Sequence, residues 1–147
     1  MKKIITILLL VSIIFLDSKS VYAITNQEKQ LFYKTVEAEV TGAGYESKLR
    51  IANVILNRVN SPKFPNTVGK VIKQKGQFSC IADGRMSKVK PTDSTKQAVD
   101  DALEGKWVIS NKVLFFNTIG CNSYASRNKV LWGKDKIHVL YLYPIKL

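Results

Sequence analysis

Hydrophobic positions in the first half of the chain predict two long helices. Thr25 followed three residues later by Glu28 is a capping box, which is typical of a helix N-terminus. Apolar residues then recur at helical spacing to about Val40, where the glycines of segment 41–44 end the pattern. A second helix is predicted from about residue 46 to 59. Its apolar positions are nearly continuous, so we expect a central and well-buried helix.

The middle of the chain predicts shorter elements. A turn before residue 68 caps a short helix near 68–73, and residues 76–89 have the composition of a loop. Thr92 or Asp93 caps a further helix that ends at Gly105.

Late in the chain the pattern changes from helical to extended. Runs at 113–116 and 137–141 are rich in β-prone residues, and a connection rich in Ser, Asn and Gly separates them. The sequence therefore predicts an α+β fold that is mostly helical, with a short antiparallel β element.

The N-terminus has the order of a secretory signal peptide. Two lysines precede an apolar run at 4–16, and a polar stretch with small residues at 21 and 23 follows. An uncleaved anchor is the alternative, but the run is shorter than the roughly 20 residues of a spanning helix. We therefore predict a signal peptide at 1–23 and a single domain at 24–147.

The formal net charge of the chain is +12. Removal of the leader would take away three lysines and one aspartate and leave +10. In an exported protein this charge favours anionic wall polymers as partners, although charge alone does not distinguish wall binding from simple solubility. Nucleic acid is disfavoured as a partner, because the lysines are scattered singly. We expect a monomer with no stable membrane span after processing.

Two cysteines, Cys80 and Cys121, remain in the mature chain. An oxidising compartment favours a disulfide between them, but spacing does not show that their geometry permits one, and two free thiols are the alternative. A zinc site is disfavoured, because His138 is the only histidine and no CxxC or HxxxH spacing occurs. We therefore expect no metal and no cofactor.

Few of the eleven acidic residues are candidates for catalysis, since most fall in the leader, in helix caps, on solvated helix faces or in turns. Glu39 lies on the apolar face of the first helix beside a Gly-rich break. Glu37 is turned roughly 160° from it, because successive helical residues turn by about 100°. A carboxyl group held against apolar surface favours its protonated form, which a general acid requires. The alternative is a glutamate at the edge of the core that reaches solvent or caps the next helix.

A thiol mechanism is the rival chemistry. Cys80 or Cys121 with His138 could form a thiolate–imidazole pair. However, His138 lies in an apolar, strand-like run, and neither cysteine begins an evident helix that would lower its pKa.

Aromatic residues beside amide and hydroxyl side chains suit sugar recognition. The candidates are Phe78, Phe116, Tyr124 and Trp132, which lie in or beside Asn- and Ser-rich connections. Ordinary packing is the alternative, and at least one of Phe115 and Phe116 should belong to the core.

Several segments form a longer pattern. They are Glu-Ala-Glu-Val-Thr-Gly at 37–42, Val-Ile-Leu-Asn-Arg-Val at 54–59, Ser-Pro-Lys-Phe-Pro-Asn-Thr-Val at 61–68, Gln-Phe-Ser at 77–79 and Leu-Phe-Phe-Asn at 114–117. Together they resemble the SleB/CwlJ-like family of spore-cortex-lytic and related cell wall hydrolases. The resemblance covers about residue 31 to the C-terminus, which is nearly all of the mature chain.

The resemblance implies a small domain of the lysozyme or lytic-transglycosylase type, in which the glutamate matching Glu39 is the catalytic acid. It implies cleavage of the MurNAc–GlcNAc β-1,4 bond of peptidoglycan glycan strands, with a 1,6-anhydro product. One carboxylate suffices for that route, whereas ordinary hydrolysis usually needs two, and Asp83 could supply the second. Gln77, Ser79 and Asn117 lie in matching segments and join the aromatic residues as substrate-binding candidates.

The chain also departs from the family pattern. The family often has a second glutamate four positions after the catalytic one, where this chain has Ala43. Some members carry a separate wall-binding module, a role that the positive charge could fill here. The alternatives are a Cys/His amidase or endopeptidase and a cationic wall-binding module without activity. In each case we expect a secreted protein at the cell wall or spore cortex.

Overall fold

The computed structural model describes residues 22–118, 130–134 and 138–142. The predicted leader, Cys121 and Tyr124 lie outside these residues. Within them the elements are, in chain order, α1 Asn26–Glu39, α2 Tyr45–Val59, α3 Val68–Ile72, α4 Ser79–Ala82, α5 Arg85–Lys88, α6 Asp93–Leu103, β1 Val113–Thr118, β2 Val130–Lys134 and β3 His138–Leu142. The mostly helical α+β prediction is confirmed.

Helix α1 begins and ends where the sequence predicts. The Thr25 hydroxyl accepts the backbone N–H of Glu28 at 3.2 Å, and the Glu28 carboxylate accepts the backbone N–H of Thr25 at 3.2 Å. The other carboxylate oxygen of Glu28 accepts the N–H of Gly69 at 3.1 Å, which ties the start of α3 to α1. A Cβ at position 69 would lie 2.8 Å from that oxygen and displace it. Beyond the helix, Gly42 has a φ of +77°, a left-handed conformation that favours glycine.

Helix α2 is buried on two sides, as predicted for a central helix. One side packs with α1, α3 and α6 in the main core, where Leu49, Ile51 and Ile55 are completely enclosed. On the other side Val54 packs with residues before and within the sheet, including Val113. The helix therefore joins the helical core to the β element.

Polar side chains of α2 bind the irregular backbone that precedes β1. Asn53 donates to the carbonyl of Lys106 and accepts the N–H of Val108, each at 2.9 Å. Asn57 donates to the carbonyl of Val113 at 2.9 Å. Buried backbone groups need partners, and these amides supply them where no regular secondary structure does.

The segment predicted as a loop at 76–89 contains two single helical turns, α4 and α5, so that prediction was wrong in part. A turn of four residues is too short to show an apolar repeat. In α4 only Cys80 is buried, and α5 has no buried residue. The position of these turns is therefore set by contacts with α1.

The two predicted strands pair antiparallel, with Phe116 opposite Leu140. A further strand, β2, was not predicted. It pairs antiparallel with the other edge of β3 and gives the order β1-β3-β2. Its apolar run of Val130, Leu131 and Trp132 is followed by Gly133 and is too short to show alternation.

No helix in the described part of the chain is long and apolar enough to cross a membrane. The apolar run of the predicted leader is outside that part, so its removal stays a prediction.

Glu37 is the more deeply buried of the two glutamates near the end of α1, at 4% exposed. Its carboxylate accepts the backbone N–H and the hydroxyl of Thr92, each at 3.0 Å, and the hydroxyl of Thr95. The Nζ of Lys48 lies 3.5 Å from the Glu37 carboxylate and 2.7 Å from the Thr92 hydroxyl. The expectation that Glu39 is the glutamate facing the interior was therefore wrong. Glu37 occupies a polar pocket between α1, α2 and the start of α6, and apolar periodicity does not reveal such a pocket.

Burial by itself would raise the pKa of Glu37, but the Thr95 hydroxyl, the Thr92 donors and Lys48 together hold that pKa below its ordinary value of 4.5. A lowered pKa in the folded state means that ionised Glu37 stabilises the fold. This contribution is complete above about pH 4.5 and is lost as the pH falls through the lower folded-state pKa.

We expect Glu37→Gln to lower the free energy of unfolding near neutral pH by about 3 kcal/mol, because it leaves the Lys48 charge buried without its partner. Glu46→Gln is the matched control. It removes a carboxylate that is 75% exposed from a pair with Arg50, and it should cost about 0.5 kcal/mol or less.

Urea unfolding at about pH 7 and about pH 3 measures both effects. The wild type should lose more stability between these pH values than Glu37→Gln loses. Equal pH dependence in the two proteins would contradict this role for Glu37.

Candidate functional site

Glu39 is the last residue of α1 and is half-buried. The backbone N–H of Cys80 donates to its Oε1 at 3.5 Å, and the Cys80 thiol interacts with the same side chain, which contributes to raising the pKa of the thiol. The carboxylate is thus partly exposed, while two groups of α4 hold it. This is the setting expected of a group that must meet a ligand in a fixed orientation.

Cys80 is a buried free thiol. Burial, followed by the hydrogen bond and the negative charge of Glu39, raises the pKa of Cys80 to about 12. The thiol is therefore protonated at neutral pH and can donate a hydrogen bond to Glu39. Since Cys121 lies outside the described residues, a disulfide between the two cysteines stays a prediction.

The guanidinium of Arg58 is buried in the protein near Glu39, and only 3% of the residue is exposed. Its Nε donates to the carbonyl of Leu114 at 2.8 Å. Three aromatic rings surround it, with centroids 5.2 to 5.6 Å from Cζ: Phe78, Phe64 and Phe115. Its Nη1 has no hydrogen-bond partner among the residues that the structure describes.

Arg58 and Glu39 interact electrostatically. Burial lowers the pKa of Arg58 to about 10, and the negative charge of Glu39 opposes this change. At neutral pH the guanidinium is therefore charged, and this positive charge interacts with the Glu39 side chain. Residues 46–59 were predicted only as a buried helix, and the one basic residue within the apolar segment 54–59 was a signal of this role.

Arg85 connects the end of α1 to the α4–α5 region. Its Nη1 donates to the carbonyl of Ala38 at 2.9 Å, and its Nη2 donates to the hydroxyl of Ser79 at 2.9 Å. Its Nε donates to the Asp83 carboxylate at 2.7 Å. No pattern in the sequence pointed to this residue, because an exposed arginine at the start of a single helical turn has no distinctive spacing.

Asp83, the candidate for a second acid, is the ion-pair partner of Arg85. The backbone N–H and the guanidinium of Arg85 lower the pKa of Asp83. Asp83 is therefore a carboxylate at neutral pH, and in that state it could act as a base but not as an acid.

Two of the predicted aromatic residues lie close together, since the ring centroids of Phe78 and Phe116 are 6.3 Å apart. Phe78 is 3% exposed and packs against Arg58, so its ring presents little surface for a sugar. Phe116 is half-buried between the two hydrophobic clusters. Ordinary packing therefore explains Phe78 well.

The structure describes some of the other predicted binding residues but not all of them. Ser79 is exposed, and Gln77 and Asn117 are half-buried. Trp132 lies in β2, and Tyr124 falls outside the described residues. Substrate binding by all of these residues stays a prediction.

Within the described residues, no group of three His, Cys, Asp or Glu side chains could hold a metal ion. A groove of about 540 Å³ lies elsewhere, between the first half of α1 and α5. Glu39 is not among the residues that line it.

The sequence matches a known protein family and two spore cortex-lytic enzymes. Residues 42–141 match the family model described as Cell Wall Hydrolase, and the match begins just after Glu39. The chain is 35% identical over 113 residues to the spore cortex-lytic enzyme of Bacillus subtilis strain 168, covering 77% of this chain and 35% of that protein. It is 40% identical over 88 residues to the spore cortex-lytic enzyme of Oceanobacillus iheyensis, covering 60% of this chain and 32% of that protein. The chain spans about a third of the length of these curated relatives.

Two solved structures have a similar fold. The catalytic domain of the germination-specific lytic transglycosylase SleB from Bacillus anthracis matches with a TM-score of 0.73 and 30% identity, over 81% of this chain and 97% of that one. The SleB catalytic domain from Bacillus cereus matches with a TM-score of 0.70 and 31% identity, over 80% of this chain and 91% of that one. The predicted lytic-transglycosylase type of fold is confirmed.

We expect Cys80 to resist alkylation in the folded protein. The rise of its pKa from 9.0 to about 12 leaves roughly a thousandth of the ordinary thiolate at mildly alkaline pH. In reduced Cys121→Ser protein, iodoacetamide should therefore modify Cys80 about 1000-fold more slowly before urea unfolding than after it. Mass spectrometry follows the reaction, and equal rates in the two states would show that Cys80 is a reactive thiol.

Proposed function

Since the chain belongs to the cell wall hydrolase family, we propose that it is a peptidoglycan-degrading enzyme that cleaves the MurNAc–GlcNAc β-1,4 bond. In this proposal Glu39 is both general acid and general base. The observation that carries it is the setting of Glu39, a partly exposed carboxylate held by Cys80 with two guanidinium groups nearby. The names of the solved relatives support a lytic transglycosylase over other enzymes of the wall.

The proposed reaction uses one carboxyl group twice. Protonated Glu39 gives its proton to the glycosidic oxygen as the bond to muramic C1 breaks. The resulting carboxylate then takes the proton of the muramic 6-hydroxyl, whose oxygen attacks C1 and closes the 1,6-anhydro ring. The proton is back on Glu39 at the end, and no water is consumed.

The donors and cations around Glu39 suit this cycle. When Glu39 gives up its proton, the Cys80 N–H and thiol can hydrogen-bond to the carboxylate, and Arg58 and Arg85 stabilise its negative charge. Preorganised groups that favour a charge as it forms lower the barrier to the step that forms it.

Hydrolysis is the second candidate, because Asp83 is held as a carboxylate beside Cys80. Such a group could activate water in place of the muramic hydroxyl. The Cys/His alternative receives less support, because the raised pKa of Cys80 disfavours a thiolate nucleophile.

We further propose that the protein is exported after removal of residues 1–23 and acts at the cell wall or spore cortex as a monomer without a cofactor. The +10 charge of the remaining chain favours retention on anionic wall polymers. N-terminal sequencing of the exported protein should begin at Ile24, and a sequence that begins at Met1 would contradict cleavage.

We expect digestion of purified peptidoglycan to release 1,6-anhydro-muropeptides, which mass spectrometry identifies. Glu39→Gln should lower their release by about 100-fold or more, because the amide cannot transfer the proton. Glu46→Gln, on the exposed first turn of α2, is the matched control and should keep full activity. Thermal unfolding should show that both variants are folded at the assay temperature.

Other products would point to the alternatives. Muropeptides with reducing ends, heavier by one water, would favour hydrolysis, and released stem peptides would favour an amidase or peptidase. A folded protein that binds the wall and releases nothing would be a wall-binding module. Undiminished release by Glu39→Gln would refute the role of Glu39.

A further inference from the structure

Arg85 makes more contacts around Glu39 than its exposure suggests. Its side chain is 49% exposed, yet all three guanidinium nitrogens are hydrogen-bonded within the protein. Their partners are the Ala38 carbonyl, the Ser79 hydroxyl and the Asp83 carboxylate. An arginine that served only solubility would leave these donors to water.

The three partners lie on both sides of Glu39. Ala38 is its neighbour in the last turn of α1, and Ser79 precedes Cys80, whose N–H donates to the Glu39 carboxylate at 3.5 Å. The planar guanidinium therefore fixes the distance between the backbone that carries the acid and the backbone that carries its donor. Lysine carries its three N–H donors on one nitrogen, so it cannot reproduce contacts that arginine makes from three separate nitrogens in one plane.

We propose that Arg85 is a positioning residue, which ties Ser79 and Asp83 to the end of α1 and so holds the Cys80 donors on the Glu39 carboxylate. The inference rests on the proposed role of Glu39. In this proposal Ser79 anchors Arg85 and is not a sugar contact. Asp83 also anchors Arg85 and is not the second acid that the sequence suggested.

The connection between α1 and α4 explains why a tether is needed. Helix α4 is a single turn that only Cys80 and the preceding Phe78 anchor in the core, so few packing contacts restrain it. The hydrogen bond from Cys80 to Glu39 is long, at 3.5 Å, and a small shift of α4 would break it. A displacement of about 1 Å in a catalytic arrangement can cost about 100-fold in rate.

The test measures kcat and KM on soluble peptidoglycan glycan strands for Arg85→Gln, Arg85→Lys and Arg85→Ala. Each should lower kcat by about 10-fold or more and leave KM within about twofold, since no substrate contact is lost. Added guanidinium ion should restore part of the kcat of Arg85→Ala and should not affect Glu39→Gln. Lys88→Gln removes an exposed positive charge from the same helical turn and should behave as the wild type.

A double-mutant cycle separates positioning from direct contact with the glycan. If Arg85 acts through Ser79, the loss in Arg85→Gln combined with Ser79→Ala should be smaller than the product of the two single losses. Independent losses, or a change in KM alone, would overturn the proposal. Thermal unfolding should show the variants folded at the assay temperature, because the substitution lies at the surface.

The two proposals fail in different ways. If Glu39→Gln is active, the proposed function fails. If Glu39→Gln is inactive and Arg85→Gln matches Lys88→Gln, only the role of Arg85 fails.

Discussion

Burial of helix α2 on both sides is the constraint on which the rest of the structure depends. A helix between a helical core and a sheet encloses several of its polar residues, and each of these must find a partner inside the protein. Lys48 meets Glu37, Asn53 and Asn57 bind the backbone before β1, and Arg58 binds the carbonyl of Leu114. These contacts hold α1, α6 and β1 in place around a single helix.

The candidate site follows from the same constraint. Arg58 reaches the region between α2 and β1, where aromatic rings enclose its guanidinium. Its positive charge interacts there with the Glu39 side chain. Glu37 anchors the end of α1 from the other side, two residues before the proposed acid. Glu39 is thus placed by rigid neighbours, while its own carboxylate stays partly exposed. The short turns α4 and α5 complete the surroundings, and Arg85 ties them to the end of α1 in addition to the packing of Cys80 and Met86 against the core.

Much of the fold could be predicted from the sequence because its longer elements have strong local signals. The Thr25 capping box, the glycines after Val40 and the continuous apolar face of α2 each fix a boundary or a face through short-range physics. The turns α4 and α5 and strand β2 were missed because tertiary contacts, not local periodicity, determine them. Glu37 is buried and Glu39 is partly exposed, which is the reverse of what the helical periodicity predicted. Periodicity cannot indicate that Thr92, Thr95 and Lys48 will form a polar pocket around Glu37. Glu39 was found through its similarity to a family, whereas Arg85 became visible only in its contacts.

The central claim is that Glu39 is the acid that meets the scissile glycosidic oxygen. A crystal structure of Glu39→Gln with a bound peptidoglycan tetrasaccharide would test it most directly. The account predicts that the side-chain amide at position 39 lies about 2.6–3.2 Å from the oxygen of a MurNAc–GlcNAc bond, with Cys80 still donating to that side chain. A glycan bound in a fixed position away from residue 39, with its β-1,4 bonds beyond the reach of that side chain, would contradict it.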